Sequence, residues 1–373
     1  MMYKIGEVFT LIRNGANIKQ GEDDTGYPIT RIETISNRVV DRNKMGYAGI
    51  HEIGRYSDYI LEDGDILMSH INSETHLGKV ALYEEIPGET IIHGMNLLCL
   101  RPNRSILNCR YAFYSLMSEG FLRQIPRIMK KSVNQASFTV TALKELQIHV
   151  PPMEQQLQVV SVMDRIQSLL LQRQKQAAVI DQLVKSRFIE LFGDYDLTHP
   201  QESWAPIKEV GTVVGGATPK TDHDEYWGGS YRWITPAELD ADSGYIYDSV
   251  RKLTKAGVES CSLQEMPVGT VILSSRAPIG KVAIAGNTFY CNQGFKNIIC
   301  KEGITPRYLY TVLLLNVEYL NSLGRGATFK EISKGIVESI RIPVPSMELQ
   351  EQFAAFVEQT DKSKLCGKMG VAA

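Results

Sequence analysis

The sequence predicts an α+β protein in which one globular α/β unit occurs twice. A long helix follows each copy, and the two helices are expected to pair as an antiparallel coiled coil, giving the chain pseudo-twofold symmetry. Short segments recur in the same order in both halves of the 373 residues. Runs rich in Val, Ile and Tyr alternate with Gly, Asn and Asp, as in short strands joined by turns. Each half also ends in a proline cluster followed by a run without Gly or Pro.

The repeat is defined by pairs of similar segments. They are IGEV (5–8) with IKEV (207–210), GDILMS (64–69) with GTVILS (269–274), GKVAL (78–82) with GKVAI (280–284), RYAFY (110–114) with RYLY (307–310), ASFTV (136–140) with ATFKE (327–331), and VPPMEQQ (150–156) with VPSMELQ (344–350). One pair could arise by chance, but this many in the same order indicate a duplicated unit. The uneven spacing between partners is expected where loops have gained or lost residues.

Short strands and one helix are predicted in each unit. In the first unit, residues 1–150, the strands are Tyr59–Ile60, Asp65–Met68, Lys79–Tyr83 and Met95–Leu100, and the helix begins near Cys109. In the second unit, residues 196–342, the counterparts are Thr270–Ser274, Lys281–Ala285 and Phe295–Cys300, with a helix from Pro306. Because helices do not alternate with these strands, the pattern favours an α+β unit over a doubly wound sheet.

Proline clusters at 150–152 and 343–345 mark the ends of the units, because proline is tolerated at the start of a helix but not within it. The first spacer, 151–195, predicts a helix over Met153–Phe192 that would be roughly 55 to 60 Å long at 1.5 Å per residue. The second spacer, 343–373, predicts a shorter helix from Met347. The apolar side chains expected to form the contact between the helices are Met163, Ile166, Leu170, Ala177, Ile180, Val184, Leu191, Leu349, Phe353 and Phe356.

Composition excludes several classes of protein. The 40 Lys+Arg and 42 Asp+Glu give a net charge of −2, so the chain is not a polycation that coats nucleic acid. No run approaches the roughly 18 apolar residues of a membrane helix, and the N-terminus lacks the apolar segment of a signal peptide, so we expect a cytoplasmic protein. The six cysteines are scattered without a CxxC pair, which predicts reduced thiols and no metal site.

The sequence lacks the motifs of common catalytic sites. It contains no GxxxxGK[ST] phosphate loop, no HExxH, no GxSxG and no Asn/Asp-Pro-Pro-aromatic motif of an amino-methyltransferase. His70 and His76 share a loop in the first unit, but the matching loop of the second unit has no histidine. A function common to both units therefore cannot need them. We assign no catalytic residue, and binding is favoured over catalysis.

Local positive charge indicates where DNA could bind. In the first unit the candidates are Arg127, Lys130, Lys131, Asn134 and Gln135. They combine cations for phosphates with amides that can bond adenine. In the second unit the candidates are Lys220, Arg232, Arg276, Arg325 and Lys330. A charged run is more often a solvated surface, but its recurrence in a duplicated unit favours nucleic acid. Two alternatives remain open: a tandem-repeat scaffold or ligand-binding protein that does not act on DNA, and a stand-alone DNA methyltransferase or nuclease.

The order of these features resembles the specificity subunit of Type I restriction-modification enzymes. The resemblance rests on a proline-rich junction followed by Met-Glu-x-Gln at 153–156 and 347–350, and on the helix end KSRFIELFGD at 185–194. It covers nearly the whole chain. It implies two target recognition domains, 1–150 and 196–342, that each read one half of a bipartite DNA site, and spacer helices whose length sets the unread gap.

The resemblance also implies that the chain is noncatalytic. Its partners would be double-stranded DNA, two methyltransferase subunits and, in many such systems, two restriction/translocase subunits. S-adenosylmethionine, ATP and Mg would bind to those partner subunits, and no cofactor would bind to this chain.

Overall fold

The computed structural model describes residues 1–18, 25–47, 49–132, 135–239, 244–261, 263–276, 278–326 and 330–369, with the side chains of the last helix described to Lys362. It divides into two compact units, Met1–Gln172 (unit 1) and Arg173–Ala373 (unit 2). None of the helices in the described part of the chain has both the length and the apolarity of a membrane span.

Unit 1 is built from short strands and mostly short helices. Its strands are β1 (Met2–Lys4), β2 (Phe9–Asn14), β3 (Pro28–Ile29), β4 (Gly46–Tyr47), β5 (Ile66–Ser69), β6 (Ile71–Asn72), β7 (Val80–Leu82), β8 (Leu97–Pro102), β9 (Lys130–Lys131), β10 (Ala136–Ser137) and β11 (Gln147–His149). Its helices are α1 (Ile5–Val8), α2 (Cys109–Met117), α3 (Glu119–Leu122), α4 (Ile125–Ile128), α5 (Val140–Lys144) and the start of α6 (Met153–Phe192), which continues into unit 2.

Unit 2 repeats much of this plan and adds elements to it. Its strands are β12 (Ala205–Pro206), β13 (Gly211–Gly215), β14 (Trp227–Ile234), β15 (Tyr245–Ile246), β16 (Arg251–Leu253), β17 (Val271–Leu273), β18 (Val282–Ala285), β19 (Tyr290–Cys291), β20 (Lys296–Cys300) and β21 (Arg341–Ile342). Its further helices are α7 (Ile207–Val210), α8 (Lys255–Ser260), α9 (Pro306–Leu315), α10 (Val317–Ser322), α11 (Lys334–Ser339) and α12 (Met347–Met369). One addition is a small sheet in the order β16-β14-β19, which we call the added sheet.

The central sheets of the two units correspond strand for strand. In unit 1 the order is β2-β8-β5-β7, and in unit 2 it is β13-β20-β17-β18 with β15 added beside β18. Successive side chains of a strand point to opposite faces, and here both faces are covered. Ile66 and Met68 join one hydrophobic core, whereas Leu67 between them joins another. Burial on both faces explains why these strands are continuous apolar runs instead of alternating ones.

The structure confirms the predicted fold class and the long helix, whose bounds Met153–Phe192 match the prediction. One predicted strand is wrong. Gly54–Tyr59 forms a 3₁₀ helix, and Ile60 pairs only through an isolated bridge with Ile92. The backbone N–H groups of Tyr56 and Ile60 donate to the carbonyls of Ile53 and Ser57, so local turn bonds replace a ladder in this short segment.

A buried glutamine anchors the start of each spacer helix to its own unit. Gln156 of α6 is fully buried. Its Oε1 accepts from the backbone N–H of Asn108 at 2.9 Å, and its Nε2 donates to the carbonyls of Ile106 and Pro151, both at 2.8 Å. Asn108 is the N-cap of α2. One side chain therefore joins the proline junction, the spacer helix and the start of α2.

Gln350 of α12 makes the same set of bonds in unit 2. It is also fully buried. It accepts from the N–H of Thr305, the N-cap of α9, at 2.8 Å. It donates to the carbonyls of Gly303 at 3.0 Å and Pro345 at 2.9 Å. The Met-Glu-x-Gln motif thus has a structural explanation, because its glutamine satisfies backbone groups at the helix junction.

Unit 2 also contains packing between the end of α6 and the start of α12. The ring of Phe353, which is fully buried, lies 5.3 Å from that of Phe188 and 5.7 Å from that of Phe192. Four of the predicted contact residues border the same core while partly buried: Val184, Leu191, Leu349 and Phe356.

Earlier positions on α6 are more exposed. Met163, Ile166 and Leu170 are 36, 46 and 48% exposed. Ala177 is exposed and Ile180 is half-buried. Their role as contacts with a helix or partner stays a prediction.

We expect Gln156→Leu to lower the free energy of unfolding of unit 1 by about 1–3 kcal/mol, because backbone groups around the helix junction lose their hydrogen-bond partner. The matched control is Gln155→Leu, since Gln155 is an exposed neighbour on the same helix. Urea unfolding followed by peptide-resolved hydrogen exchange measures the two variants. Equal losses for both would contradict the anchoring role.

Candidate nucleic-acid interface

Several loops of unit 1 that neighbour the predicted binding residues leave one end of its central sheet. Asn14 at the end of β2 pairs with Leu98 near the start of β8, and Leu98 pairs with Met68 of β5. Met68 in turn pairs with Val80 at the start of β7. The segments after β2, between β5 and β7, and before β8 therefore emerge together. We call segments 15–18, 70–79, 93–96, 129–132 and 135–137 the loop end of unit 1.

A three-stranded ladder forms part of this loop end. Strand β10 lies between β6 and β9, with Ala136 paired to Asn72 and Lys131, and Ser137 paired to Ile71 and Lys130. The following Phe138 donates its N–H to the carbonyl of His70. The ladder thus places two exposed lysines beside the loop between β5 and β7.

The same ladder recurs in unit 2 with different residues. Glu331 pairs with Arg276 on one side and Arg325 on the other, and Ile332 donates its N–H to the carbonyl of Ser275. Arg276 therefore occupies the place of Ile71, and Glu331 that of Ser137. We call segments 216–220, 275–276, 278–281, 292–296, 324–326 and 330–331 the loop end of unit 2.

This correspondence corrects the sequence alignment of ASFTV with ATFKE. Thr139 and Ser333 are the N-caps of α5 and α11, so Ser137 aligns with Glu331 and not with Thr328. The sequence match followed the Phe in each segment, whereas the fold aligns the helix caps. A loop-length difference before the cap separates the two alignments.

The predicted residues of unit 1 differ in whether an ion pair compensates their charge. Lys131 pairs with Glu74 at 2.8 Å. Lys130, Arg127 and Gln135 are exposed. The salt bridges among the described residues include neither Lys130 nor Arg127, so these two carry the less compensated charge. Asn134 lies outside the described residues.

The predicted residues of unit 2 fall into two groups. Arg276, Arg325 and Lys330 lie at the ladder, and Arg325 and Lys330 form no ion pair within the described ranges. Arg232 lies on the added sheet, where its Nε donates to Asp248 at 3.2 Å. Lys220 is exposed, and its carbonyl accepts from the indole of Trp227 at 3.2 Å.

Sequence reasoning missed two charged residues of unit 2: Glu331, which lies in the ladder, and Lys296, which lies at the start of β20. Glu331 accepts from Arg276 Nε at 3.0 Å and from Lys296 Nζ at 3.1 Å. Burial raises the pKa of Glu331, but the hydrogen bonds from Lys296 and Arg276 outweigh it and hold the pKa below its usual value. The sequence separates Lys296 from Glu331 widely, so no local pattern could pair them.

Arg251 was also missed. Its guanidinium lies 3.5 Å from the ring centroid of Trp227 and 5.4 Å from that of Trp233, a cation–π arrangement on the added sheet. The alternation of aromatic and basic residues along β14 was the available signal, but Arg251 contributes from the neighbouring strand β16.

The histidines of the loop end of unit 1 differ in burial. His70 is buried with its Nδ1 unpartnered, whereas His76 is exposed. Burial lowers the pKa of His70 to about 4. His93 is buried with Nε2 2.9 Å from the carbonyl of Leu97, and burial lowers its pKa to about 4 as well. Across the described ranges, no cluster of three or more His, Cys, Asp or Glu side chains could hold a metal ion.

A family model described as the Type I restriction modification DNA specificity domain matches residues 1–180 and again 202–366. The MjaX type I restriction enzyme specificity subunit of Methanocaldococcus jannaschii is 33% identical over 375 residues, covering 96% of this chain and 86% of the relative. The MjaIX specificity subunit of the same organism is 42% identical over 185 residues, covering 48% of this chain and 43% of the relative.

Two solved structures have a similar fold. One is the S subunit of a Type I restriction-modification system from M. genitalium, with a TM-score of 0.59 and 14% identity over 100% of this chain and 92% of that one. The other comes from a study of complex assembly in a type I R-M system, with a TM-score of 0.56 and 17% identity over 100% of this chain and 92% of that one.

We expect unit 1 to lose stability as the pH falls from about 6.5 to about 4. The folded pKa of His70 and of His93 lies below the ordinary value, so in this window the unfolded chain binds protons that the folded unit excludes. Each histidine can contribute up to about 1.4 kcal/mol per pH unit. Chemical denaturation at several pH values, read by hydrogen exchange of unit 1 peptides, measures the slope.

The variant that tests this slope is His70→Gln, which should make the pH dependence shallower. His76→Gln is the matched control, because His76 is exposed in the same loop. A slope for His70→Gln equal to that of the unsubstituted protein would show that the buried imidazole does not titrate as described.

Proposed function

The chain belongs to the family of Type I restriction-modification DNA specificity subunits, and we propose that each of its two repeated units reads one half of a bipartite DNA site. Family membership favours this function over an unrelated scaffold and over a stand-alone methyltransferase or nuclease. The observation that carries the proposal is that two copies of one framework present different side chains at the same ladder.

The framework positions are alike in the two units. Tyr111 donates its hydroxyl to the carbonyl of His149, and Tyr308 donates to that of Pro343, both at 3.0 Å. The anchoring glutamines are likewise matched. At the ladder, by contrast, Ile71 is replaced by Arg276. A constant frame with variable loop-end residues is the arrangement expected where two units read different sequences.

Bivalency explains how two units that each bind DNA weakly can together bind one site tightly. A good bidentate contact to a base discriminates by about 1–3 kcal/mol, so a unit that reads a few base pairs is permissive by itself. Joining two units in one chain makes the second binding event intramolecular, which raises overall affinity without new contacts.

Exposed cations of both loop ends would contact DNA phosphates. We assign this role to Lys130, Arg325 and Lys330 of the loop ends and to Arg127 on the adjoining helix α4, all of which lack ion-pair partners among the described side chains. Lys131, Asn134, Gln135, Lys220 and Arg232 are further candidates for contact with phosphates or bases. Phosphate contacts would position each unit, and base contacts would carry specificity.

The chemistry of modification would reside in other subunits. We propose that this chain is noncatalytic and binds no cofactor, and that two methyltransferase subunits and two restriction/translocase subunits assemble on it in the cytoplasm. The absence of methyltransferase, phosphate-loop and metalloenzyme motifs from the sequence supports this division. The apolar positions Met163, Ile166, Leu170, Ala177 and Ile180 are proposed partner contacts on the spacer helix.

Coexpression of the chain with its methyltransferase subunit should place methyl groups on adenines within a bipartite motif of genomic DNA. Sequencing that detects modified adenines measures this, with the methyltransferase subunit alone as control. A contiguous motif, or no modification above the control, would contradict the proposed reading by two units.

Lys130→Ala should weaken duplex binding by the assembled methyltransferase complex at all sequences. Losing one phosphate contact should reduce the slope of log affinity against log salt by about 0.9. Lys131→Ala should have a smaller effect because Glu74 already compensates that charge. Lys144→Ala is the control, since Lys144 is exposed on α5, which contacts α1 at the start of β2 and so lies away from the loop end. Titrations between about 50 and 200 mM salt measure the slopes, and equal slopes for all variants would contradict the assignment.

A further inference from the structure

A charged triad occupies three positions of unit 2 that are uncharged in unit 1. Arg276 and Glu331 correspond to Ile71 and Ser137 in the ladder. Lys296 corresponds to Leu98, because Leu98 pairs with Asn14 at the end of β2, as Lys296 pairs with Gly215 at the end of β13. The register of both sheets thus makes these positions directly comparable.

The comparison shows that the triad is not required for the fold. In unit 1 the position of Lys296 is filled by Leu98, which is fully buried in the core. Placing a lysine there removes an apolar contact and brings a charge into a largely buried site, which is unfavourable unless the charge is paired. In unit 2 the side chain of Lys296 is only 13% exposed, and its Nζ pairs with Glu331 at 3.1 Å. Such an arrangement is the expected sign of a functional requirement.

The hydrogen bonds of the triad orient Arg276. One oxygen of Glu331 accepts from Arg276 Nε at 3.0 Å, and the other accepts from Lys296 Nζ at 3.1 Å. Lys296 also lies 3.3 Å from Ser275 Oγ. Lys296 therefore fixes the carboxylate of Glu331, and that carboxylate in turn fixes the Nε edge of the Arg276 guanidinium.

This geometry leaves the terminal nitrogens of Arg276 available. The Arg276 side chain is 46% exposed, and its contact with Glu331 uses Nε. The two terminal nitrogens of an arginine form a planar fork that matches O6 and N7 of guanine in the major groove. A fork whose inner edge is fixed by a carboxylate is preorganised for a bidentate contact.

A phosphate contact accounts less well for the same arrangement. Phosphate attraction needs positive charge, and Glu331 removes part of that charge at Arg276. The neighbouring Arg325 and Lys330 are exposed without an ion pair in the described parts of the loop end, so they already supply what a phosphate requires. Because Glu331 orients Arg276 and neutralises part of its charge, the arginine is better suited to contact a base than a phosphate.

We propose that Arg276 reads a guanine in the half-site bound by unit 2, and that Glu331 and Lys296 are its positioning residues. The inference rests on the proposed function, because it assigns one base contact within it. Unit 1 has Ile71, Ser137 and Leu98 at these places, so it has no arginine fork equivalent to that of Arg276.

The test uses the full chain coexpressed with its methyltransferase subunit and a library of sites in which the half-site of unit 2 is randomised. Arg276→Ala should relax the preference for guanine at one position of that half-site by roughly 5- to 150-fold, the equivalent of one bidentate contact. Preferences in the half-site of unit 1 should not change. Glu331→Gln should weaken the same preference at the same position, by a smaller factor.

Two controls separate base reading from other roles. Lys330→Ala should lower methylation of all sites without changing any base preference. Glu259→Gln removes a carboxylate from the exposed pair with Lys255 on α8 and should leave the profile unchanged. If Arg276→Ala fails to fold, Arg276→Lys decides the question, because it keeps the charge and loses the planar fork.

The outcomes distinguish this inference from the function beneath it. A bipartite motif for the unsubstituted chain with no position altered in the Arg276 variants overturns the guanine contact and leaves the proposed function intact. No bipartite motif for the unsubstituted chain overturns the proposed function itself. Loss of preference at several positions at once would show that the triad maintains the loop end as a whole and does not position one side chain.

Discussion

The rest of the structure depends on how a helix can leave a folded unit without exposing unsatisfied backbone groups. Each spacer helix begins after proline, so the junction cannot be part of a regular helix or ladder. A buried amide solves this problem in both units, because Gln156 and Gln350 each bond one carbonyl of the proline junction and one N–H and one carbonyl at or just before the start of α2 or α9. The direction of each helix is therefore tied to α2 or α9 of its own unit. The central sheet of each unit packs against α2 or α9, and the loops that leave this sheet form part of the loop end.

Much of this fold was accessible from the sequence because its signals are local or repeated. A run without Gly or Pro between two breakers fixes the ends of α6, and paired segments reveal the duplication. The strand predicted at Tyr59–Ile60 is wrong because Tyr59 closes a 3₁₀ helix whose bonds are local, and a Tyr-Ile pair by itself does not distinguish the two structures. The alignment of ASFTV with ATFKE failed because sequence similarity favoured a shared Phe, whereas the fold is determined by helix caps.

The candidate interface was less accessible, since its chemistry depends on which charges meet. Lys131, Arg232 and Arg276 are candidates on the basis of local positive charge, and in the structure each has a carboxylate partner. Glu331 and Lys296 escaped notice because only the ladder and the start of β20 bring them together. The overall charge of −2 is consistent with a surface in which many cations are locally compensated and a few are not. Specific recognition is better served by those compensated and oriented groups than by a uniform positive field.

The exposed apolar side chains of α6 have a consequence for the life of the chain before it is assembled. Val162, Met163 and Ile166 are 58, 36 and 46% exposed and lie on one side of this helix, three or four residues apart. Such a surface binds apolar groups whatever their source, including those of unfinished or damaged proteins. Under the proposed assembly, a newly made chain is open to competing contacts until a partner subunit covers this helix. That assembly would then depend on balanced synthesis of the two proteins as well as on their affinity.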